Sequence, residues 1–137
     1  MDQHFDASVQ KMKQDFLDNL AQMTIIGKYP LATLGSKTQN GGEVSSASSN
    51  SYMGKLRFAR VGDEVRYPDG STSKIASGAG YACVEDGLPM AIVGSGIENG
   101  DKIISSLQND ALIVEYAEKR IPGLFDPDFR GASARLV

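Results

Sequence analysis

The sequence predicts a mainly β protein: a small unit of three β-hairpin repeats with pseudo-threefold symmetry, preceded by an amphipathic helix and followed by a short extension. Three observations lead to this fold class. A short motif recurs three times, each copy leads into an Asn-Gly or Asp-Gly turn between apolar segments, and hydrophobic residues recur at helical spacing in residues 1–24, before the repeats begin. Self-similarity of this kind is typical of repeat architectures, whose units bury their apolar faces against one another.

The motif reads apolar residue, Ala, any residue, Leu or Val, Gly, and then Ser or Asp. Its anchor positions are Ala32, Leu34 and Gly35 in the first repeat, Ala59, Val61 and Gly62 in the second, and Ala91, Val93 and Gly94 in the third. One hairpin is marginally stable in water, whereas three can share a core. We expect Leu34, Val61 and Val93 to face a common axis, with the glycines allowing close approach of the backbones there. Agreement at several positions favours this symmetric unit over three unrelated hairpins in a sandwich.

Each motif is followed by a turn in which Asn or Asp precedes Gly. The pairs are Asn40-Gly41, Asp69-Gly70 and Asn99-Gly100, and each lies between apolar or β-branched segments. These pairs are strong hairpin signals because both residues tolerate a positive φ. The pattern predicts three similar hairpins and leaves open which hairpin ends form the tip of the unit.

Residues 1–24 form a predicted amphipathic helix that precedes the repeats. Its apolar face consists of residues at steps of three and four, namely Phe5, Val9, Met12, Phe16, Leu20 and Met23. Polar residues separate them, as in a helix with one apolar stripe. Two interpretations stay open: the face packs on the chain's own β unit, or it docks on a partner chain.

The repeats occupy residues 25–108, and two features within them stand apart from the motif. Ser45–Ser51 is rich in serine, and its composition predicts a flexible loop. Cys83, the only cysteine, lies in an apolar strand, where we expect it to be buried and inert. Because a single cysteine allows no disulfide within the chain, it fits synthesis in a reducing compartment.

Residues 109–137 follow the last repeat and form a predicted C-terminal extension. Asp110 can cap a short helix over Ala111–Arg120, but the β-branched character of residues 112–114 makes a strand an open alternative. Residues 123–137 contain two phenylalanines and have the pattern of an extended tail, for which disorder is the default expectation.

Composition argues against several function classes. The chain has 14 Lys and Arg against 17 Asp and Glu, a net charge of −3, so its charge gives no reason to expect nucleic acid or an anionic membrane as a partner. Its start lacks the basic region and continuous apolar core of a signal peptide, and no segment approaches the length of a membrane span. We therefore expect any export to use a route without a cleaved signal.

Few residue patterns point to catalysis. Ser71 and Lys74 have the Ser-x-x-Lys spacing of penicillin-binding enzymes, but the other two motifs of that chemistry do not occur in the sequence. The glycines around Ser95 lack the dinucleotide-binding spacing, and adjacent carboxylates such as those of residues 85 and 86 point to opposite faces of a strand. His4 is expected to face solvent from the helix. We predict no enzymatic activity.

The three motif copies, above all Phe58-Ala59-Arg60-Val61-Gly62-Asp63, resemble the PAAR-repeat family over about residues 27–108. The resemblance implies a small cone of β-hairpins that caps the blunt end of a trimeric β-helical spike, the VgrG protein of bacterial type VI secretion or its counterpart in contractile phage tails. It implies a monomer that binds at one copy per spike trimer and helps to pierce an envelope. The hairpins would also cover the open strand edges at the trimer's end.

A second hypothesis is that the chain is chiefly an adaptor. In that case the two terminal segments recruit a toxic effector or a chaperone, and the hairpin unit attaches them to the spike. Both hypotheses imply synthesis in the bacterial cytoplasm, followed by export through the injection machine or by assembly into a phage virion.

The resemblance also implies a zinc ion near the tip, and here the sequence departs from the family. Members usually carry a histidine before the turn glycine, where this chain has Asn40, Asp69 and Asn99. A structural zinc needs four nitrogen or sulfur ligands, and the chain has one histidine and one cysteine, far apart in the pattern. We therefore predict that zinc is absent. The three residues either meet near the tip and bond to backbone or water, or serve only as turn residues.

Overall fold

The computed structural model describes residues 11–15, 17–18 and 22–129, and these are mainly β, which confirms the predicted fold class. Their strands are β1 (Ile25–Pro30), β2 (Lys37–Thr38), β3 (Glu43–Val44), β4 (Tyr52–Met53), β5 (Leu56–Arg57), β6 (Glu64–Arg66), β7 (Thr72–Lys74), β8 (Val84–Glu85), β9 (Leu88–Pro89), β10 (Ile103–Ser105) and β11 (Leu112–Tyr116). A short 3₁₀ helix spans Gly80–Ala82. The pairings between these strands are antiparallel.

The three anchor alanines form a closed ring of backbone hydrogen bonds. The amide of Ala32 donates to the carbonyl of Ala91 at 2.9 Å, that of Ala91 to Ala59 at 2.9 Å, and that of Ala59 to Ala32 at 3.0 Å. All three side chains are fully buried. Because a cycle of equivalent bonds requires the repeats to surround one axis, the chain has the pseudo-threefold arrangement that the repeats predict.

A second cycle of hydrogen bonds lies beside the first and corrects one expectation. The amides of Leu34, Val61 and Val93 donate to the carbonyls of Arg57, Pro89 and Pro30 at 3.0, 3.0 and 2.9 Å. The prediction that Leu34, Val61 and Val93 all face the axis is wrong for Leu34, which is 44% exposed, whereas Val61 is buried. The axis at the ring is occupied by the anchor alanines, since backbones that approach this closely leave little room for larger side chains.

The tip layer lies on one side of the ring and consists of three hairpins, residues 36–45, 63–75 and 95–104. Its strand order is β10-β2-β3-β6-β7, and the bridges Ile75–Ile97 and Gly96–Lys102 connect β7 back to β10. The sheet therefore closes on itself, which removes exposed strand edges from this layer. Its core is aliphatic and contains Val44, Val65, Ile75, Ile97 and Ile103.

The base layer lies on the other side of the ring and consists of three two-stranded sheets, β4–β5, β8–β9 and β1–β11. The first two are local hairpins, whereas the third joins segments from before and after the repeats, with Pro30 opposite Leu112. Leu31, Phe58 and Met90, each the residue before an anchor alanine, are buried together in the core of this layer.

The three tip turns share one conformation, and it differs from a turn with positive φ at both residues. The amides of Gly41, Gly70 and Gly100 donate to the carbonyls of Thr38, Tyr67 and Ile97 at 3.3, 2.9 and 2.9 Å. The glycines have φ of 87°, 87° and 93°, whereas the preceding Asn or Asp does not have a positive φ. Each turn is therefore a three-residue loop that ends in a left-handed glycine. The base turn at Asp86 and Gly87, with φ of 53° and 82°, does have positive φ at both residues.

The serine-rich segment Ser45–Ser51 is held against the second repeat, so the prediction of a flexible loop is wrong. The carboxylate of Asp63 accepts hydrogen bonds from the hydroxyl of Ser46 at 3.2 Å and from the amide and hydroxyl of Ser48 at 3.0 and 3.1 Å. Ser49 is fully buried. A buried carboxylate can thus order a polar segment whose composition alone indicates flexibility.

The segment after the last repeat completes the base layer. Leu112–Tyr116 is strand β11, so the predicted helix over Ala111–Arg120 is wrong and the strand alternative is correct. The buried side chain of Gln108 fixes its start: Nε2 donates to the carbonyls of Leu31 and Ala111 at 2.8 and 2.9 Å, and Oε1 accepts from the amide of Ala111 at 2.8 Å.

Residues 122–129 fold onto the domain, so the expectation of a disordered tail is wrong for them. The ring of Phe125 meets Tyr29 edge-on with centroids 5.1 Å apart, and its amide donates to the carbonyl of Gly78 at 2.8 Å. Phe129 packs edge-on against Tyr81 at 4.8 Å. The remainder of the predicted tail, residues 130–137, lies outside the described residues.

The N-terminal helix is described only in part. Residues 11–15, 17 and 18 are helical, and Met12 and Leu17 are 71% and 53% exposed. Met23 is half-buried. The other members of the predicted apolar face, Phe5, Val9, Phe16 and Leu20, lie outside the described residues, so what this face packs against stays a prediction.

Candidate functional site

Three exposed apolar side chains occupy equivalent positions on the base layer. They are Tyr52, Val84 and Leu112, which pair across their sheets with Arg57, Pro89 and Pro30. Each of these partners is the residue two before an anchor alanine. The exposed fractions of Tyr52, Val84 and Leu112 are 54%, 36% and 36%. We name these three residues the base triad. Exposed apolar groups repeated about an axis indicate a surface suited to a partner of the same symmetry.

Arg57 orients the largest member of the base triad. Its guanidinium carbon lies 4.3 Å from the centre of the Tyr52 ring, which is within cation–π distance. Its Nη2 donates to the Tyr52 hydroxyl, and its Nη1 donates to the carbonyl of Ser49 at 2.7 Å. The ring is therefore held in one orientation by residues of its own hairpin and of the serine-rich segment.

The last residue of each motif makes the same pair of contacts. The side chains of Ser36, Asp63 and Ser95 accept from the amides of Thr33, Arg60 and Ile92 at 2.9, 2.7 and 2.9 Å. Their own amides donate back to the carbonyls of those residues at 3.0, 3.1 and 2.9 Å. These reciprocal bonds enclose the bends at Gly35, Gly62 and Gly94, whose φ values are 91°, 97° and 103°. They fix how each tip hairpin leaves the ring.

A single carboxylate joins the three hairpins at the tip. Asp101 is only 3% exposed. It accepts hydrogen bonds from the amide of Asn40 at 3.1 Å, the hydroxyl of Tyr67 at 2.7 Å and the amide of Lys102 at 2.8 Å, which belong to the first, second and third hairpins. The Tyr67 hydroxyl accepts in turn from Nδ2 of Asn99 at 3.0 Å. We name Asn40, Tyr67, Asn99 and Asp101 the tip cluster.

Hydrogen bonding keeps this carboxylate ionised. Burial is the largest single influence and acts to raise the pKa of Asp101, but bonds from Thr38, Tyr67 and the amides of Lys102 and Asn40 together hold that pKa below its ordinary value. Burial raises the pKa of Tyr67, and the neighbouring Asp101 raises it further against the opposing bond from Asn99. The Tyr67 hydroxyl therefore stays protonated and can donate to the carboxylate.

The predicted turn residues have different roles at the tip. Asn40 contributes its backbone amide, whereas Asn99 contributes its side chain, whose Oδ1 also accepts from the amide of Asp101 at 3.0 Å. Asp69 is exposed and accepts from the hydroxyl and amide of Ser71 at 2.6 and 2.9 Å, and these bonds lower its pKa. The structure thus brings Asn40 and Asn99 into the tip cluster and leaves Asp69 in its own turn.

Asp101 and Tyr67 have no role in the sequence-based predictions. Asp101 is equivalent to Gly42 and Ser71, because all three directly follow a turn glycine. A side-chain carbon at Gly42 would lie 2.8 Å from atoms of Thr38 and of Tyr67, so there is no space for a side chain there. The sequence does contain a signal for Asp101, because the residue after the turn glycine is Gly, Ser or Asp in the three repeats. At this position the side chains no longer follow the symmetry of the repeats.

The donor set at the tip does not fit a structural zinc ion. The tip cluster offers one carboxylate, one phenol, one amide side chain and backbone N–H groups, whereas such a site needs four nitrogen or sulfur ligands. Within residues 11–15, 17–18 and 22–129, no group of three or more His, Cys, Asp or Glu could share a metal ion. Cys83 is half-buried against the core of the base layer, and burial raises the pKa of its thiol. His4 lies outside the described residues.

The residues considered for catalysis do not form a catalytic arrangement. The Ser71 hydroxyl donates to Asp69 in an exposed turn, and Lys74 is exposed on β7 opposite Glu64. Glu85 lies near Arg60, with Nη1 3.7 Å from its carboxylate, in the base layer. In the part of the chain that the structure describes, no helix has the length and apolar character needed to cross a membrane.

Comparison with known proteins identifies one matching family. The family model described as PAAR motif matches residues 34–105, just over half of the chain. The match begins at Leu34, inside the first anchor motif, and continues through all three tip hairpins and the two local base hairpins. It ends before β11. No curated protein matches the chain.

Proposed function

This chain belongs to the PAAR-motif family of spike-tip proteins, and from that premise we propose that it caps the blunt end of a trimeric VgrG-like β-helical spike. One copy sits on one trimer, with the base layer against the spike and the tip layer pointing away from it. The assembly serves type VI secretion, in which the capped spike pierces an envelope. A contractile phage tail is the alternative machine with the same geometry.

The closed ring of anchor alanines carries this proposal. The end of a trimer presents each of its groups three times, and a single chain can meet all three copies alike only if its own surface repeats about an axis. The hydrogen bonds that link Ala32, Ala59 and Ala91 at 2.9 to 3.0 Å give this monomer such an axis. Internal symmetry therefore supports a stoichiometry of one copy per trimer.

The difference between the two layers supports the orientation. The tip sheet closes on itself, whereas the base layer ends in the outer strands β4, β8 and β11, one in each two-stranded sheet. Outer strands can pair with the open strand edges of a β-helix, and pairing would cover both. The base triad lies on these three strands, so apolar contact and strand pairing act on the same face.

We propose a mechanical and non-enzymatic role. The Ser71 hydroxyl donates to Asp69, so it is not arranged with Lys74 as a nucleophile and its base. The polar side chains of Tyr67, Asn99 and Asp101 at the tip are bonded to one another. The protein is made in the bacterial cytoplasm and leaves on the injection machine, or becomes part of a virion if the machine is a phage tail. Genes next to its own would distinguish the two machines.

Binding to the cognate spike tests the proposal. The purified chain and the trimeric spike should form a complex of one copy per trimer, measured by light scattering or native mass spectrometry. Tyr52→Asp, Val84→Asp and Leu112→Asp each place a charge on the docking face, and each should weaken binding by about tenfold or more because a buried unpaired charge is costly.

Ile104→Asp is the matched control, since Ile104 is 50% exposed on β10 of the tip layer. It should leave spike binding unchanged. Three copies per trimer, or equal effects of Ile104→Asp and the base variants, would contradict the proposed orientation.

The exposed part of the N-terminal helix favours an adaptor role as a second function. Met12 and Leu17 are both largely exposed in the described helical residues. A helix that keeps apolar side chains exposed can dock on an effector or a chaperone. Deletion of residues 1–22 should abolish cargo delivery and spare spike binding, and unchanged delivery would exclude this role for the helix.

A further inference from the structure

The tip cluster offers a way to hold the three hairpins together without a metal ion. We propose that the carboxylate of Asp101 takes the place of the family's zinc and is the group that ties the tip hairpins to one another. The proposal concerns the isolated chain and does not depend on spike binding.

The bonding pattern of Asp101 is that of a cross-link between repeats. Its Oδ1 accepts from Asn40 of the first hairpin at 3.1 Å and from its neighbour Lys102 at 2.8 Å, and its Oδ2 accepts from Tyr67 of the second hairpin at 2.7 Å. A bond between charged acceptor and neutral donor is stronger than one between neutral groups. With Asp101 itself on the third hairpin, one side chain reaches all three.

The polarity of the tip is reversed relative to a metal site. A metal ion gathers lone pairs from its ligands, whereas a carboxylate gathers N–H and O–H donors. Here the groups that face the carboxylate are two backbone amides and the hydroxyls of Tyr67 and Thr38. The phenol of Tyr67 is the titratable group in contact with it among the described residues, and Lys102 contributes its amide to the carboxylate. An added metal ion would meet N–H and O–H groups where it needs the lone pairs of ligand atoms.

The tip cluster receives its carboxylate from one of three equivalent turn positions. A side-chain carbon at the equivalent Gly42 would lie 2.8 Å from Thr38 and Tyr67, and the equivalent Ser71 is bonded to Asp69 in its own turn. The Asn99 side chain holds the arrangement from both sides, because Nδ2 donates to Tyr67 and Oδ1 accepts from the Asp101 amide. The three equivalent positions thus differ: the first has no space for a side chain, the second bonds within its own turn, and the third supplies the carboxylate.

Neutral and truncated variants of Asp101 test the proposal in the full chain. Asp101→Asn and Asp101→Ala should lower Tm, and should speed amide hydrogen exchange of Asn40 and Lys102 by about tenfold or more, because both amides lose an ionised acceptor. Asp69→Asn, a change of the same type at an exposed turn, is the control and should leave both quantities nearly unchanged. Equal behaviour of Asp101→Asn and Asp69→Asn would overturn the proposal.

Tyr67→Phe provides a second variant if the Asp101 variants fail to fold. It removes one donor and keeps the ring, so it should speed exchange at the tip less than Asp101→Asn does. Carbon-13 NMR of the Tyr67 ring gives a further readout: loss of the negative charge in Asp101→Asn should move the Tyr67 pKa back towards its ordinary value. An unchanged Tyr67 pKa together with unchanged exchange would contradict the assignment.

The effect of metal on stability distinguishes a tip held by zinc from a tip held by the Asp101 carboxylate. The wild-type chain should contain no stoichiometric zinc by elemental analysis, and its Tm should be the same with a strong chelator and with added zinc. Stoichiometric zinc in the purified protein, or a Tm that falls on chelation, would overturn the replacement of the metal by Asp101.

Discussion

The tip and base layers surround the same axis but build it from different parts of the chain. The three tip hairpins are local, and each ends in the same loop with a left-handed glycine. In the base, two sheets are local hairpins, whereas the third pairs β1 with β11 across the whole length of the repeat unit. The tip therefore depends on contacts within residues 36–104, and the base also needs residues 25–30 and 112–116.

The matched family region is therefore not the whole structural unit. The match to residues 34–105 contains the tip and two faces of the base, while the third face comes from segments on either side of it. Backbone symmetry extends through both layers. Side-chain symmetry ends at the tip, where one carboxylate serves three hairpins.

Removal of residues 109–137 should break the base and is the largest expected effect. The truncation deletes β11 and Phe125, so the loss of unfolding free energy should exceed the roughly 3–5 kcal/mol that a single buried Phe-to-Ala change costs. Denaturant unfolding measures it. A shorter truncation after residue 129 keeps every described contact and is the control. If the long truncation has wild-type stability, the β1–β11 sheet is not part of the base.

Enlarging an anchor alanine should disturb both layers at once. Ala32→Leu, Ala59→Leu and Ala91→Leu each add bulk at a fully buried position of the ring, and overpacking of this kind costs about 1–3 kcal/mol. The three costs should be similar because the positions are equivalent. Ala117→Leu, at an exposed position, is the control in the same thermal unfolding experiment. If one substitution destabilised the protein much more or much less than the other two, the three alanines would not be equivalent about the axis.

Substitution of the motif glycines by alanine should destabilise the three repeats to different extents. Gly35, Gly62 and Gly94 all have left-handed φ, so each change should cost about 1–2 kcal/mol. Gly94→Ala should cost most, because its new carbon would lie 2.8 Å from the ring of Phe125. Gly62→Ala meets nothing within 4 Å, and Gly35→Ala meets only the flexible end of Leu107. Denaturant unfolding measures these losses of stability. Equal losses for the three variants would indicate that Phe125 does not pack closely against Gly94.

Acid should destabilise each layer by protonating one buried carboxylate, and this is the smallest of the effects that we expect. The pKa of Asp101 at the tip is lowered by hydrogen bonds that outweigh its burial, and the pKa of Glu115 in the base is lowered chiefly by the Ile121 amide. Because both pKa values are lower in the folded chain than in the unfolded one, their stabilising effect is present above about pH 4 and is lost as the pH falls further.

Thermal unfolding between neutral pH and about pH 3 measures this loss. In Asp101→Asn, the tip amides should lose less of their hydrogen-exchange protection on acidification than in the wild type. In Glu115→Gln, the same should hold for the amides of β1 and β11. A Tm in either variant that falls with acid as steeply as in the wild type would contradict the assignment for that layer.

Much of the fold could be predicted because its signals are local. The motif spacing and the turn glycines are properties of short segments, and they predict repeats arranged around one axis. The strand after the last repeat is one of two alternatives that the sequence leaves open, since the β-branched character of residues 112–114 indicates a strand but does not identify its partner. The candidate site can be predicted only in part: the turn pattern points to Asn40 and Asn99, whereas no pattern points to Asp101 or Tyr67.

The motif spacing and the turn pairs are enough to predict three hairpins and the places of their turns, because both depend on the φ preferences of neighbouring residues. The anchor alanines occupy the axis, where the sequence predicts Leu34, Val61 and Val93, because the backbones approach closely in the fold. Only the tertiary structure decided that β11 pairs with β1, that Phe125 covers Gly94, that Asp63 orders the serine-rich segment and that Asp101 joins three hairpins. These contacts link residues far apart in the chain, and their partners are chosen by the space and the unpaired donors that remain once the local elements have come together.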